Sequence, residues 1–287
     1  MKAWYEGRIV DAANCRIPVL DHGLLYGDGV FEGIRISAGR VFRLHCHLAR
    51  LARSARAIGL DLPCPLDAIG DIVLETARAH GQAEAYVRLL VTRGVGELTL
   101  DPTACDEPRL ICIVAPIRLF DDAARARGLR LMTAAARRPR CDQLDPQVKS
   151  LNYLNNVLAK RDARLKGFDD ALLLNDAGHV AEASAANVFA DIDGELVTPP
   201  PSDGALPGLT RASLIDIARA AGDKVSERSL TRYDLLAAGE VFLSGSGAGL
   251  VGVASLDATS LGSADRPRLA ALTRAWPDYA HAHGTAF

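Results

Sequence analysis

A mixed α/β fold in two domains is what this 287-residue chain predicts. Period-two runs such as residues 30–36 and 85–92 alternate with helix-spaced apolar stripes over 46–58 and 66–79. The length also exceeds what one compact core usually organises. Residues 116–128, PIRLFDDAARARG, mix Pro, charge and Gly between two strand patterns, as a junction does. The expected division is a small domain over 1–117, a connecting loop over 118–128 and a larger domain over 129–287.

Composition narrows the class of partner. Formal net charge is −2 with Arg scattered among acids, so no basic stripe suits a nucleic acid. No apolar run reaches membrane-spanning length, and MKAWYEGRIVDA lacks an apolar signal core. The expected partners are small molecules and the expected location is the cytoplasm. Cys15, Cys46, Cys64, Cys105, Cys112 and Cys141 form no CxxC pair and read as reduced thiols. His45-Cys46-His47 does not make a metal site, because adjacent side chains diverge and no second ligand cluster completes one. No metal is expected.

Taken in order, residues 3–11 predict a hairpin turning at Glu6-Gly7. Gly27-Asp28-Gly29 then turns into a strand over 30–36, with Phe31, Gly33 and Arg35 on one face and Val30, Glu32, Ile34 and Ile36 on the other. Gly33 leaves a gap that a ligand or a neighbouring backbone can fill. A helix over 46–58 buries Leu48, Leu51, Ala55 and Ile58 and leaves Arg50 off that stripe. A second helix follows over 66–79. Strand 85–92 places Tyr86 and Arg88 opposite Val87, Leu89 and Val91. An arginine there is expensive to bury unpaired, so it belongs at an edge or faces an anion. Strand 109–115 closes the first half.

In the second half, strand 129–135 leads to CDQLDPQVKSLNYLNNVLAK. Ser150 is the expected cap of a helix with Leu151, Leu154, Val157, Leu158 and Leu165 as its apolar stripe, ending at Gly167. Lys149, just before that helix, would sit near the positive end of its dipole, which suits an amine that forms a Schiff base. Short strands follow. In one of them Glu182 lies among Ala181, Ala183, Ser184, Ala185 and Ala186, which leave room for something flat. LPGLTRASLIDIARAAG predicts a helix capped by Thr210, whose end is an anion site. In EVFLSGSGAGLVGV a strand meets consecutive small residues able to form an amide nest. Leu250 stands where a dinucleotide fingerprint needs Gly, and no P-loop motif exists.

An amine ready to form an imine, two backbone anion traps, an arginine and a carboxylate beside flat space are the set that pyridoxal phosphate asks for. The runs YGDGVFEGIR (26–35), HLARL (47–51), YVRLLVTRG (86–94), VKSLNYLNNVLAK (148–160), EASAANVF (182–189), LPGLTR (206–211) and FLSGSG (242–247) resemble class IV, fold-type IV pyridoxal-phosphate aminotransferases, in that family's order. The resemblance implies a small N-terminal and a larger C-terminal α/β domain with the cofactor between them, usually in a homodimer. It implies Lys149 as the catalytic, cofactor-bound lysine and Glu182 as partner of the pyridine nitrogen. Arg50, Leu209, Thr210 and Ser246 would hold the phosphate, with Tyr153 near the ring hydroxyl.

Within the family, Tyr86 and Arg88 with FEGIR at 31–35 are similar to the branched-chain group. That likeness implies substrate contacts from Tyr26, Phe31, Gly33, Arg35, Tyr86 and Arg88, and α-carboxylate binding by Gly247 and Ala248. The implied reaction moves an amino group between a branched-chain or aliphatic L-amino acid and 2-oxoglutarate by a ping-pong mechanism. The Arg-x-His that D-alanine enzymes carry after T-R-G is missing, since residues 94–100 read GVGELTL. One departure keeps alternatives open: residues 245–249 read GSGAG where branched-chain enzymes usually read GTAAE. A D-amino-acid or R-amine aminotransferase, a 4-amino-4-deoxychorismate lyase and a non-catalytic module binding a phosphate ligand remain the competing readings.

Overall fold

The structure, a computed structural model, describes residues 1–117, 119–262 and 265–287. Arg118, in the expected connecting loop, lies outside the described residues, as do Ser263 and Ala264. The chain separates into two compact units. One holds 1–117, 148–152 and 280–287, and the other holds 118–147 and 153–279.

The first unit contains β1 (Lys2–Tyr5), β2 (Arg8–Asp11), α1 (His22–Leu25), β3 (Gly29–Ser37), β4 (Arg40–Phe42), α2 (Leu44–Ala57), α3 (Leu66–His80), β5 (Ala85–Thr92) and β6 (Arg109–Ala115). Its sheet runs from the C-terminal strand Gly284–Ala286 through β4, β3, β5, β6 and β1 to β2, every pairing antiparallel. Period-two alternation sends Val30, Ile34, Ile36, Val87, Leu89, Val91, Cys112 and Val114 inward at 0% exposure. They pack on Leu44, Leu48, Leu51 and Ala55 of α2 and Ile69, Val73 and Ala77 of α3. Each fully buried aliphatic side chain there contributes about 1.5–3 kcal/mol. The opposite face of β3 and β5 carries Phe31, Gly33, Arg35, Tyr86 and Arg88, in a register that sets Gly33 against Arg88 and Arg35 against Tyr86.

The second unit contains α4 (Asp122–Arg127), β7 (Leu129–Thr133), α5 (Leu154–Leu165), β8 (Asp170–Leu174), β9 (Val180–Ala183), β10 (Asn187–Ile192), β11 (Glu195–Thr198), α6 (Leu209–Ala220), β12 (Val225–Glu227), α7 (Arg232–Ala237), β13 (Glu240–Gly245), β14 (Gly249–Leu256), β15 (Thr259–Ser260) and α8 (Pro267–Ala282), whose last turn carries the chain back to the first unit. Its mixed sheet has the order β12-β11-β10-β13-β14-β7-β8-β9, with β15 paired to β14. The pairs β11/β12, β14/β7 and β7/β8 are parallel. Mixed α/β architecture is therefore what the chain adopts.

Two helix starts differ from expectation. Ser150 does not cap α5, because its backbone is drawn into a bridge with Val30 and its hydroxyl accepts the Asn152 N–H instead. The helix begins at Leu154 with Tyr153 at its cap, so Lys149 stands five residues before the first helical one. Thr210 does not cap α6 either. Gly208 holds that position, and Thr210 is in the first turn and buried. The apolar stripe of α5 is also rotated from the expected one. Asn156, Ala159 and Ala163 are buried, whereas Leu154, Val157, Leu158 and Leu165 are each at least half exposed. Small alanines let the helix approach Met132, Ala171 and Leu173 closely, and the bulkier leucines turn outward.

Candidate active site

In the first unit, Lys149 lies in an extended segment stitched to β3. Phe31 N–H donates to the Lys149 carbonyl at 3.0 Å and Leu151 N–H to the Gly29 carbonyl at 2.9 Å. The Lys149 N–H in turn donates to Ser54 Oγ on α2 at 3.1 Å. These bonds fix the lysine backbone against both a strand and a helix. Its Nζ sits 4.4 Å from the Phe31 ring centroid. The Arg88 guanidinium lies 4.6 Å from the same centroid and 5.7 Å from that of Tyr86. An apolar ring with an amine and a guanidinium against it can accept an aliphatic group and an anion in one place.

Arg88 is neither at an edge nor buried alone. It is on the central strand β5, half-exposed, with its charge against aromatic faces. The gap at Gly33 is filled by a side chain rather than by backbone, since a Cβ there would run into the Tyr86 hydroxyl. Tyr26 follows α1, and its ring meets that of His22 edge-on at 4.9 Å. Arg35 is half-buried on the same face as Phe31 and Gly33.

Arg50, off the apolar stripe of α2, is nevertheless turned inward. It is only 4% exposed and its Nε and Nη2 each donate to Glu32 at 2.7 Å. His47 Nδ1 meets the same carboxylate at 2.7 Å. A carboxylate only accepts, so Nδ1 carries the proton. Burial pushes the Glu32 carboxyl up, but the Arg50 charge and the hydrogen bonds from Arg50 and His47 more than reverse this and leave it far below the usual carboxylate range. Burial likewise holds His47 below the ordinary histidine range, against the upward pull of Glu32. Helical spacing explains the grouping. Residues 47, 50 and 54 form an inward polar stripe on α2 beside the apolar stripe 44, 48, 51 and 55.

In the second unit, Glu182 is on β9 at the end of the sheet, 4% exposed and held from several sides. Arg138 Nη2 lies 2.9 Å from its Oε1. Asn187 Nδ2 donates to its Oε2 at 3.2 Å and Leu206 N–H does so at 3.1 Å. Arg138 also donates to Asn156 at 2.8 Å, and Asn156 donates to the Ser184 carbonyl at 2.8 Å. The carboxylate is thus fixed in orientation by charge-assisted bonds. Asn187 donates further to the Leu206 carbonyl, and a Cβ at Gly208 would strike its Oδ1. The entry to α6 is tied to Glu182 in this way. The first N–H groups of α6, at Leu209 and Thr210, have no acceptor within the helix and carry its positive dipole end.

Ser246, Gly247 and Ala248 form the turn between β13 and β14, closed by pairing of Gly245 with Gly249. Gly249 has φ +68°, which a glutamate would adopt only under strain. Arg125 of α4 donates to the Ala248 carbonyl. The unusual glycine is therefore what this turn needs, and Arg125 ties the turn to α4. Tyr153, at the cap of α5, is half-buried.

Sequence reasoning passed over Glu32, His47, Arg138, Asn156, Asn187 and Arg125. One signal was available: Glu32 shares an inward strand face with Val30, Ile34 and Ile36, and a buried acid there requires a cation. Arg138 and Arg125 pair with positions far along the chain, and no local pattern marks such pairs.

Within the second unit Glu182 and the α6 entry are locked together, and within the first Lys149, Phe31 and Arg88 converge. Such a fold and donor set define a pyridoxal-phosphate enzyme of fold-type IV. The class IV amino-transferase family pattern matches residues 29–256, and the chain belongs to that family. It is therefore a transaminase that works with pyridoxal phosphate. A Methanocaldococcus jannaschii protein with the provisional name branched-chain-amino-acid aminotransferase is 45% identical over 259 residues, 90% of this chain and 88% of that protein. The crystal structure of the Escherichia coli branched-chain amino acid aminotransferase superimposes with TM-score 0.92 at 29% identity, covering 96% of this chain and 93% of that one. The branched-chain aminotransferase of the thermophilic archaeon Thermoproteus uzoniensis, crystallised with norvaline, does so with TM-score 0.88 at 35% identity, over 96% and 94% of the two chains.

Proposed function

We propose that the enzyme moves an amino group between a branched-chain or aliphatic L-amino acid and 2-oxoglutarate. The observation that carries this reading is the Phe31 ring with Lys149 Nζ and the Arg88 guanidinium both against it. One surface then offers an apolar wall for an aliphatic side chain and a cation for the distal carboxylate of glutamate.

The donor set fits pyridoxal phosphate: an amine, a fixed carboxylate, a guanidinium and the N-terminal amides of a helix. When bound, that cofactor supplies an aldehyde carbon for amines and a ring that withdraws electrons. Lys149 Nζ would be the amine that holds the cofactor through its aldehyde carbon. Its amine, when free, would be the base that moves the substrate's Cα proton. Glu182 would accept a hydrogen bond from the ring nitrogen and keep it protonated. Arg50, the amides of Leu209 and Thr210 and the Ser246 hydroxyl are the groups that would hold the phosphate, and Tyr153 would orient the ring hydroxyl. The amides of Gly247 and Ala248 bind the substrate α-carboxylate. Tyr26, Phe31, Gly33, Arg35 and Tyr86 shape the side-chain pocket, and Arg88 binds a distal carboxylate. The two amino acids use the pocket in alternation, which is a ping-pong scheme.

We assign a homodimer and the cytoplasm to the protein. Exposed Leu154, Val157, Leu158 and Leu165 on one helix support the first, and six free cysteines support the second.

The test is single-turnover loss of the bound cofactor's visible absorbance with L-leucine, L-valine, L-glutamate, D-alanine and D-glutamate. Reaction with the three L-amino acids and inertness of both D-amino acids is expected. Turnover of D-alanine with L-leucine inert overturns the assignment in favour of a D-amino-acid enzyme.

A further inference from the structure

Arg50 does not stand alone in its role, and the groups around it are arranged for more than stability. The polar stripe of α2 faces β3 inside the first unit. Glu32, His47 and Arg50 are all at most 4% exposed. Glu32 Oε1 takes Arg50 Nε at 2.7 Å, while its Oε2 takes both Arg50 Nη2 and His47 Nδ1 at 2.7 Å. Two parallel bonds fix the plane of a guanidinium, where one would let it rotate. His47 in turn fixes the plane of the carboxylate. Its far nitrogen, Nε2, is buried with no hydrogen-bond partner among the described residues. A ring with an unsatisfied acceptor is a poor choice if packing alone were at stake. The neighbouring residue on β3, Phe31, donates to the Lys149 carbonyl, and Ser54, one turn further along the same α2 stripe, accepts the Lys149 N–H at 3.1 Å. The arginine and the lysine are thus hung from one strand–helix seam.

We propose that Glu32 is a positioning residue that presets Arg50 for the phosphate of pyridoxal phosphate, with His47 holding Glu32 in plane. This rests on the reading that Arg50 binds that phosphate. A buried guanidinium whose charge is already offset by Glu32 needs no anion to stay folded inward, so the anion site is formed before the cofactor arrives. Glutamine at position 32 keeps the shape but presents an amide donor to Arg50 or to His47, and the bidentate arrangement is lost. Asparagine at position 47 keeps a donor where Nδ1 now stands, and should keep Glu32 in place.

The experiment measures dissociation constants of pyridoxal 5'-phosphate and of phosphate-free pyridoxal, by quenching of intrinsic fluorescence, for the wild type, Arg50→Ala, Glu32→Gln and His47→Asn. A melting curve with saturating pyridoxal confirms folding of each. Wild type is expected to prefer the phosphorylated aldehyde strongly. Arg50→Ala and Glu32→Gln should each cut that preference tenfold or more while leaving pyridoxal binding within about threefold, because tenfold is the scale of one charge-assisted bond. His47→Asn should retain most of it. Should Glu32→Gln fail to fold, His47→Leu, which removes the donor to Glu32, takes its place with the same expected loss. Loss in Arg50→Ala without loss in Glu32→Gln overturns the positioning role alone. Equal weakening of both aldehydes in Glu32→Gln also overturns it, as damage unrelated to phosphate. An Arg50→Ala protein with unchanged preference overturns the phosphate role of Arg50 itself.

Discussion

Arg88 and His47 show how much a single side chain's surroundings decide. The Arg88 guanidinium is 4.6 Å from the Phe31 centroid, and in the proposed reaction it would rest on the ring with an aliphatic substrate and bond the distal carboxylate of glutamate. Arg88→Ala should therefore lower kcat/KM for L-glutamate by about 10- to 100-fold, the worth of a charged hydrogen bond of roughly 1.5–3 kcal/mol. L-Leucine should change within about threefold. Equal losses on both substrates would remove Arg88 from the distal-carboxylate role. His47 is held neutral by burial, with its folded pKa below the unfolded one. Its contribution to stability is complete above the unfolded value of about 6.5 and is lost as pH falls below it. The melting temperature should fall from pH 7 to pH 5, and His47→Asn should flatten that part of the profile. An unchanged slope in the variant would assign it elsewhere. From the sequence, Arg88's strand face was readable by period-two counting, whereas Arg50's burial was not. Helical spacing places Arg50 off the apolar stripe, and nothing local reveals that Glu32, on a different element, makes an inward position tolerable.

Among the elements, strands were easier to read than helices. Residues 85–92 and 109–115 coincide with β5 and β6, because alternating burial leaves only one register in which the apolar residues face inward. Period alone does not fix which side of a helix is buried. In α5 the leucines and the alanines both recur at helical spacing, and the sheet selects the smaller set. The exposed row has a consequence for assembly. If the proposed homodimer forms through this row, the double variant Leu154→Glu, Leu158→Glu should be a monomer in light scattering where the wild type is a dimer, and a dimer that survives both charges would place the interface elsewhere. The 245–249 turn makes a second demand. Gly249→Ala forces a Cβ into φ +68°, which should cost about 1–2 kcal/mol in chemical denaturation. No loss of stability would show that the turn relaxes freely and does not require glycine.

For the molecule as a whole, the motifs identified the family, and the folded chain added what motifs do not contain. The strand Gly284–Ala286 returns to pair with β4, joining sequence extremes in one sheet. Residues 148–152 likewise belong with the first unit although the chain around them builds the second. Neither return has a local signature, since each is set by pairing with residues far away in the chain. The same holds for Arg138 and Glu182, whose ion pair unites β9 with the segment before α5. The return of 148–152 to β3 is what presents Lys149, on which the proposed chemistry depends. The decisive measurement is borohydride reduction of the pyridoxal-phosphate-loaded protein followed by peptide mass mapping. A phosphopyridoxyl group on the peptide containing Lys149, with Lys149→Ala neither labelled nor able to transfer an amino group, is the predicted result. Labelling at another lysine, such as Lys160, or undiminished turnover by Lys149→Ala, would contradict it.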